Sequence, residues 1–287
     1  MNKRVLVTGS NGQLGKSLQK IASEKSNKID FTFTTRDSLD ISNLKEFESF
    51  FKDNTFDYCI NCAAYTAVDK AEEEKEQAFL INAEAVKTLA ETCKEYKVML
   101  IHISTDFVFD GLKNEPYIET DSPNPINVYG ASKLQGEKFI QEILDTYYII
   151  RTSWVYSEFG NNFVKTMLRL ANERDEISVV NDQIGCPTYA TDLAKTILDI
   201  VYLNQQEYGI YHYSNIGEIS WFSFAQNIFN EMKSNCTVLP MASKDYQSKA
   251  KRPLYSVLNT QKIHKTFYLK EIGFKTSLTK CLKSLVK

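Results

Sequence analysis

Apolar residues in the first half of the chain fall into short runs, and between those runs they recur every three or four positions. RVLVT (4–8), FTFTT (31–35), YCINC (58–62), MLIHIS (99–104) and YYIIRTSW (147–154) have the length and the β-branched or aromatic content of strands. LGKSLQKIA (14–22), LKEFESFFK (44–52) and EEEKEQAFLINAEAVKTLAETCKEY (72–96) carry helical spacing with Glu and Lys on the outer face. Strands alternating with amphipathic helices predict βαβ units and a doubly wound parallel sheet. Beyond Trp154 the alternation fades. There, 163–174, 189–203 and 221–233 read as helices, and 177–180 and 210–214 as strands.

Composition narrows the class of protein. The 287 residues are 43% apolar and 24% charged with net charge −2, ordinary for a globular chain and no electrostatic basis for nucleic acid or membrane binding. The opening MNKRVLVTGS has too short an apolar run for a signal peptide. No stretch reaches the roughly 18 apolar residues of a spanning helix, so a cytoplasmic protein is expected. Of the six cysteines, only Cys59 and Cys62 lie close together. On a strand, residues three apart point to opposite faces, so reduced core thiols are expected there and not a zinc or redox pair. The three histidines, His102, His212 and His264, show no metal spacing and are assigned structural roles.

Gly9-Ser-Asn-Gly12-Gln-Leu-Gly15 follows the first strand and leads into a helix. Such a turn lets backbone approach a pyrophosphate, whose charge then rests on the free N–H groups of the helix start. The spacing G-x-x-G-x-x-G is one residue from the dinucleotide fingerprint, and its place at the head of a βαβ series supports that reading. A Rossmann-type domain over 1–153, completed by parts of 177–214, is therefore expected, with 154–287 forming a smaller, mainly substrate-binding C-terminal region. At the end of the second strand, Arg36 suits the 2′-phosphate of NADPH, while the adjacent Asp37 keeps NADH open.

Residues 128–137 read VYGASKLQGE. Tyr129 and Lys133 are four apart, so on a helix they project from one face. Tyr-x-x-x-Lys arises by chance about once in a chain this rich in both residues. Its setting adds the weight: it follows the strand ending His102-Ile-Ser104-Thr105-Asp106 through a long polar connection, and strand ends of such sheets face the cofactor crevice.

With these features the chain resembles the extended short-chain dehydrogenase/reductase superfamily, and most closely its dTDP-4-dehydrorhamnose reductase family. The phrases carrying the resemblance are NCAAYTAVDKAEEE (61–74), STDFVFDG (104–111), PYIETD (116–121), PINVYGASKLQGE (125–137), RTSWVYSEFGNNFVKTMLRLA (151–171), VVNDQIGCPT (179–188) and KRPLYSVLNT (251–260). The resemblance implies NADPH-dependent reduction of the C4 ketone of dTDP-4-dehydro-6-deoxy-L-mannose to dTDP-L-rhamnose. Tyr129 would donate the proton, Lys133 would pull the phenol pKa down and hold the nicotinamide ribose, and Thr105 would orient the carbonyl. The cofactor would meet Gly9, Asn11, Gly12, Gln13, Leu14, Gly15, Arg36, Asp40, Ile41, Cys62, Ala63, Ala64, Tyr65, Tyr129 and Lys133. The nucleotide sugar would meet Thr105, Asp106, Phe107, Trp154, Asn161, Asn162 and Arg252. An indole packs on a sugar face, an amide reads hydroxyls, and the arginine fork matches a diphosphate.

Some relatives are metal-linked dimers built on acidic side chains. The lysine-rich end TKCLKSLVK has no such cluster, so no metal is expected, and either a monomer or a homodimer is. Two rival readings remain. The first is another nucleotide-sugar 4-ketoreductase, epimerase or dehydratase of the same superfamily; dehydratases place an acidic residue after Thr-Asp, where Phe107 stands here. A non-catalytic NADP-binding regulatory subunit is free to lose the triad, whereas Thr105, Tyr129 and Lys133 are all present.

Overall fold

The computed structural model describes residues 2–25 and 29–286. The first half runs β1 (Lys3–Thr8), α1 (Gln13–Lys25), β2 (Ile29–Phe33), α2 (Leu44–Asp53), β3 (Tyr58–Asn61), α3 (Val68–Ala71), α4 (Lys75–Phe79), a π-helical turn (Leu80–Glu84), α5 (Ala85–Tyr96), β4 (Met99–Thr105), α6 (Val128–Ile143) and β5 (Tyr147–Thr152). The second half runs β6 (Val155–Tyr156), α7 (Phe163–Glu173), β7 (Glu176–Val180), β8 (Ile184–Gly185), β9 (Thr188–Tyr189), α8 (Ala190–Leu203), β10 (Gly209–His212), β11 (Ile219–Ser220), α9 (Trp221–Met232), β12 (Thr237–Met241), α10 (Gln261–Thr266) and α11 (Phe274–Leu285).

Six strands form one parallel sheet in the order β10-β5-β4-β3-β1-β2. Alternation along each strand gives the sheet two buried faces. Val5, Val7, Ile60, Ile101 and Ile150 point to a core shared with α1 and α8, through Leu18, Ile21, Leu193 and Ile197. Leu6, Cys59, Leu100 and Ile149 point to the opposite core with α2, α5 and α6, through Phe47, Phe51, Leu89 and Ile140. Cys59 thus sits in a different core from the one Cys62 packs against, and both are free thiols.

The chain passes from β1 to β2 on one side and returns to β3 on the other. This reversal leaves a crevice at the carboxyl ends of β1 and β3, where ligands of open α/β sheets bind. A third core joins α7, α9 and α11 with β7, through Val164, Met167, Ile177, Phe224, Ile228 and Leu278. Of the stretch 177–214, Gly209–His212 joins the six-stranded sheet, while Glu176–Val180 pairs with Thr237–Met241 in a separate two-stranded one.

Some elements depart from the periodicity. The second strand begins and ends two residues early, at Ile29–Phe33, because Thr35 turns back and its N–H donates to the Ser38 hydroxyl. The long helix expected over 72–96 is interrupted by the π turn. Asn82 faces inward from that turn, accepting from the Tyr65 N–H and donating to the Tyr65 carbonyl and the Ser132 hydroxyl. A side chain that must satisfy a neighbouring loop displaces the regular register, and π bulges gather at such places.

The same turn explains Gly136. A Cβ there would lie 2.2 Å from the Asn82 carbonyl oxygen, so α6 approaches the turn only without one. Gly136→Ala is expected to lower unfolding stability by about 1–3 kcal/mol, the usual cost of forcing a methyl into a packed interface. A denaturant midpoint equal to that of the wild type would show that the turn gives way freely.

Candidate active site

A cleft of about 800 Å³ opens at the crevice between β1 and β3. Its first wall is the glycine loop. Gly9 adopts φ +63°, and a Cβ there would lie 2.5 Å from the Ala63 nitrogen. Only glycine lets the loop after β1 lie against the one after β3. Asn11, Gly12, Gln13, Leu14 and Gly15 continue this wall toward the start of α1, and Cys62, Ala63 and Ala64 also line it. These are the features a dinucleotide diphosphate requires: close backbone approach and a helix N-terminus. Arg36, Asp40 and Ile41, beyond the end of β2, belong to the same lining. Arg36 is well exposed, and its Nε stands 3.3 Å from Asp40. Asp40 also accepts from the hydroxyl and backbone N–H of Ser42. Partial burial pushes its carboxyl up, but the bonds from Ser42 and Arg36 outweigh this and hold it below the usual range.

The second wall carries Thr105, Asp106, Phe107, Tyr129 and Lys133. Asn127 caps α6 by accepting from the Gly130 N–H, and its amide donates to the Lys251 carbonyl. This cap sets the first turn, which presents Tyr129 beside Phe107, their rings edge to face at 5.8 Å. Thr105 adjoins Tyr129 in the cleft lining; its hydroxyl donates to Asp106 Oδ1 at 3.0 Å and accepts the Phe107 N–H. Burial pushes the Asp106 carboxyl up to about 6, against the pull of the nearby Ser256 and Thr105 hydroxyls, and its Oδ2 is buried without a hydrogen-bond partner among the described residues.

Tyr129 and Lys133 come to one cleft, but the expected direction of the phenol pKa is not found. Burial pushes Tyr129 up to about 12, with Thr105 pulling down and Asp106 pushing further up. Lys133 is engaged elsewhere. Only 1% exposed, its Nζ lies 2.7 Å from the Ile103 carbonyl and 3.1 Å from His102 Nε2. Burial lowers its own pKa to about 8.

On the substrate side, Trp154 and Asn161 line the cleft. Trp154 follows β5 in a left-handed conformation, φ +48°, and stacks on Trp221 at 3.4 Å and 6°. Trp221 also lines the cleft, so the cleft presents a stacked pair and not the lone indole expected. One sign of Trp221 was there to be read: it opens a helix capped by Ser220, a place where a large aromatic has no helical reason to be.

Three expected contacts are not available as described. Asn162 reaches the cleft lining, but it caps α7 and donates to Gln13, Ser157 and Phe159, so its amide is spent on local structure. Tyr65 lies outside the lining, its hydroxyl donating to Glu74 at 2.7 Å. Arg252 also lies outside it, with a side chain 20% exposed and forked onto Asp69 at 2.7 and 3.1 Å. That pair, with Lys249 and Glu73, ties the chain after β12 to the region of α3. Among the described residues, no cluster of His, Cys, Asp or Glu could hold a metal ion, and no helix is long and apolar enough to cross a membrane.

The sheet, the glycine loop at its switch point and the wall of Thr105, Tyr129 and Lys133 define a Rossmann-type NAD(P)-binding protein of the reductase and epimerase class. The chain is similar, at fold level, to a Thermus thermophilus UDP-glucose 4-epimerase solved with NAD (TM-score 0.81, 19% identity, covering 99% of each chain). The profile of the RmlD substrate binding domain family matches residues 3–287, and the chain belongs to that family, the dTDP-4-dehydrorhamnose reductases. It is 41% identical over 277 residues to the dTDP-4-dehydrorhamnose reductase of Escherichia coli K12, covering 92% of each. The Bacillus anthracis str. Ames enzyme of that name, solved in complex with NADP, superposes with a TM-score of 0.95 at 41% identity over 99% of this chain and 100% of the other.

Asp106 gives a pH-dependent expectation. Its folded pKa, about 6, exceeds the ordinary aspartate value of 3.8, so the folded state binds the extra proton between those values. Stability from this group is therefore full below the lower value and is lost as pH rises through the upper one. Asp106→Asn is expected to gain up to roughly 3 kcal/mol over the wild type above pH 6 and little below pH 4. Denaturation curves at the two pH values check this, and an equal difference at both would assign the effect to packing.

Proposed function

We propose that the chain reduces the C4 ketone of dTDP-4-dehydro-6-deoxy-L-mannose to dTDP-L-rhamnose with NADPH. One observation carries the reading: Thr105, Tyr129 and Lys133 meet in the same cleft as the Gly9–Gly15 loop and Arg36. The loop and the start of α1 would hold the diphosphate, and Arg36 the 2′-phosphate. When bound, the cofactor supplies the hydride.

The protein's residues do the rest. The Tyr129 phenol, kept protonated by burial, is the donor to the carbonyl oxygen, and a donor must carry its proton into the reaction. Thr105, in the same wall of the cleft, would turn its hydroxyl from Asp106 to hold the same oxygen in line. Phe107 covers the edge of Tyr129 where a dehydratase would place an acid, which favours reduction over elimination. The Trp154–Trp221 stack and Asn161 are the natural floor for a hexose. Arg252 is withdrawn from the diphosphate role by its fork onto Asp69.

Mixed with NADPH and the 4-keto sugar nucleotide, the purified protein is expected to consume both in equal amounts and yield dTDP-L-rhamnose. Tyr129→Phe should keep its cofactor affinity and lose turnover by roughly 10²-fold or more. Undiminished turnover in that variant would remove Tyr129 from the chemistry.

Arg36→Ala separates the two cofactors. The arginine is exposed and shared with Asp40, so its contact with a phosphate is worth about 1 kcal/mol. The NADPH-to-NADH affinity ratio should therefore drop roughly fivefold. Titration of both cofactors against both proteins measures it, and an unchanged ratio assigns phosphate reading to another group.

A further inference from the structure

Four buried side chains form a line beneath the cleft. Thr8, at the end of β1, donates its hydroxyl to Asn61 Oδ1 at 2.7 Å, and the backbone N–H of Ala63 donates to the same oxygen at 3.2 Å. Asn61 Nδ2 lies 3.0 Å from His102 Nδ1, and His102 Nε2 lies 3.1 Å from Lys133 Nζ. The lysine closes the line on the Ile103 carbonyl at 2.7 Å.

The line has a polarity. A backbone N–H can only donate, so the Asn61 atom facing Ala63 is its oxygen and the one facing His102 is its NH₂. His102 Nδ1 therefore accepts. A neutral imidazole has one proton, which must then sit on Nε2 and point at Lys133. An imidazolium would set donors against donors on both sides, and burial alone pushes the His102 pKa down from its ordinary value. To receive the Nε2 proton, the lysine needs a nitrogen lone pair, which an ammonium lacks.

We infer that His102 is a positioning residue, locked as the Nε2–H tautomer by the Ala63 N–H acting through Asn61, and that it holds Lys133 as a free amine before ligands enter. The inference rests on reading Lys133 as part of the reductase cleft. The other groups around the lysine fit. Glu137, one turn along α6, is neutralised by Arg151 at 2.6 Å. Burial keeps Cys62, beyond β3, as a thiol and Tyr129 as a phenol. Asp106, beyond β4, is bonded to Thr105. Burial draws the lysine pKa down from its ordinary value to about 8, in the direction of the free amine, and the imidazole proton aimed at Nζ carries it the rest of the way. The stored proton of the cleft then resides on Tyr129, and Lys133 becomes an ammonium only by taking one up.

Cofactor-free protein labelled with ¹⁵N-histidine and ¹³C-lysine tests this without any turnover, so its failure is distinct from failure of the reductase reading. His102 and Lys133 signals are identified by their loss in His102→Gln and Lys133→Met. The expected wild-type result is a long-range ¹H–¹⁵N pattern with the proton on Nε2, and a Lys133 ε-carbon shift already that of the neutral amine at pH 7; a Lys133 that is still ammonium at pH 7 overturns the inference. A proton on Nδ1, an imidazolium, or a Lys133 that titrates with the surface lysines overturns the inference. Asn61→Asp reverses the line, since a carboxylate accepts from both Ala63 and His102. It is expected to move the proton to Nδ1 and the Lys133 titration upward; persistence of the Nε2–H form there overturns the role of Asn61. Should that variant not fold, the wild-type spectrum decides alone.

Discussion

The arrangement of the cleft depends on one buried ion pair. Glu137 on α6 receives Nε and Nη2 of Arg151 from β5 at 2.6–3.2 Å, and the Ser104 hydroxyl of β4 as well. The remaining guanidinium surface is used too, with His212 Nε2 at 3.4 Å from Nη1 and the Phe109 ring at 5.1 Å. Two charges at 2% exposure or less are tolerable inside a protein only when their hydrogen-bonding capacity is filled in this way. Removing one partner of such a pair costs about 3–5 kcal/mol, so the pair fixes how α6 sits on the sheet. Tyr129, Lys133 and Glu137 are spaced four apart on one helix face. The anchor that is useless for chemistry therefore sets the depth and rotation of the two residues that are not.

Much of this was legible in the chain because it obeys periodicity. Strands 58–62 and 99–104 and helices 44–52 and 163–174 lie within a residue or so of their elements, since both faces of the sheet are buried and the pattern has one solution. The failures are local. Nothing in EEEKEQAFLINAEAV announces that Asn82 must serve the backbone of Tyr65, and so the π turn is invisible to spacing. The end of β5 at Thr152, short of Trp154, follows from the left-handed turn that lays one indole on another, a contact sixty-seven residues distant along the chain.

The candidate site divides in the same way. Gly9, Thr105, Tyr129 and Lys133 were readable because backbone geometry and helix spacing bring them to the crevice whatever surrounds them. Asn162 and Arg252 were not, because an amide or a guanidinium is equally suited to a ligand and to its own neighbours, and only tertiary structure shows which is nearer. The phenol pKa teaches the same point: proximity to a lysine lowers it only when the ammonium is free to face it, and here burial and the claims of His102 and Ile103 come first.

Gln13 follows the second glycine of the loop, yet its amide reaches across the cleft. It donates to the Val155 carbonyl and accepts from Ser157 and Asn162. Gln13 thus ties the two banks of the cleft together, beside the Lys20–Glu158 ion pair, and separating them at this side chain breaks three bonds together. Opening the cleft further at this point therefore costs those bonds. The distance between the banks is set there by the length of one glutamine side chain.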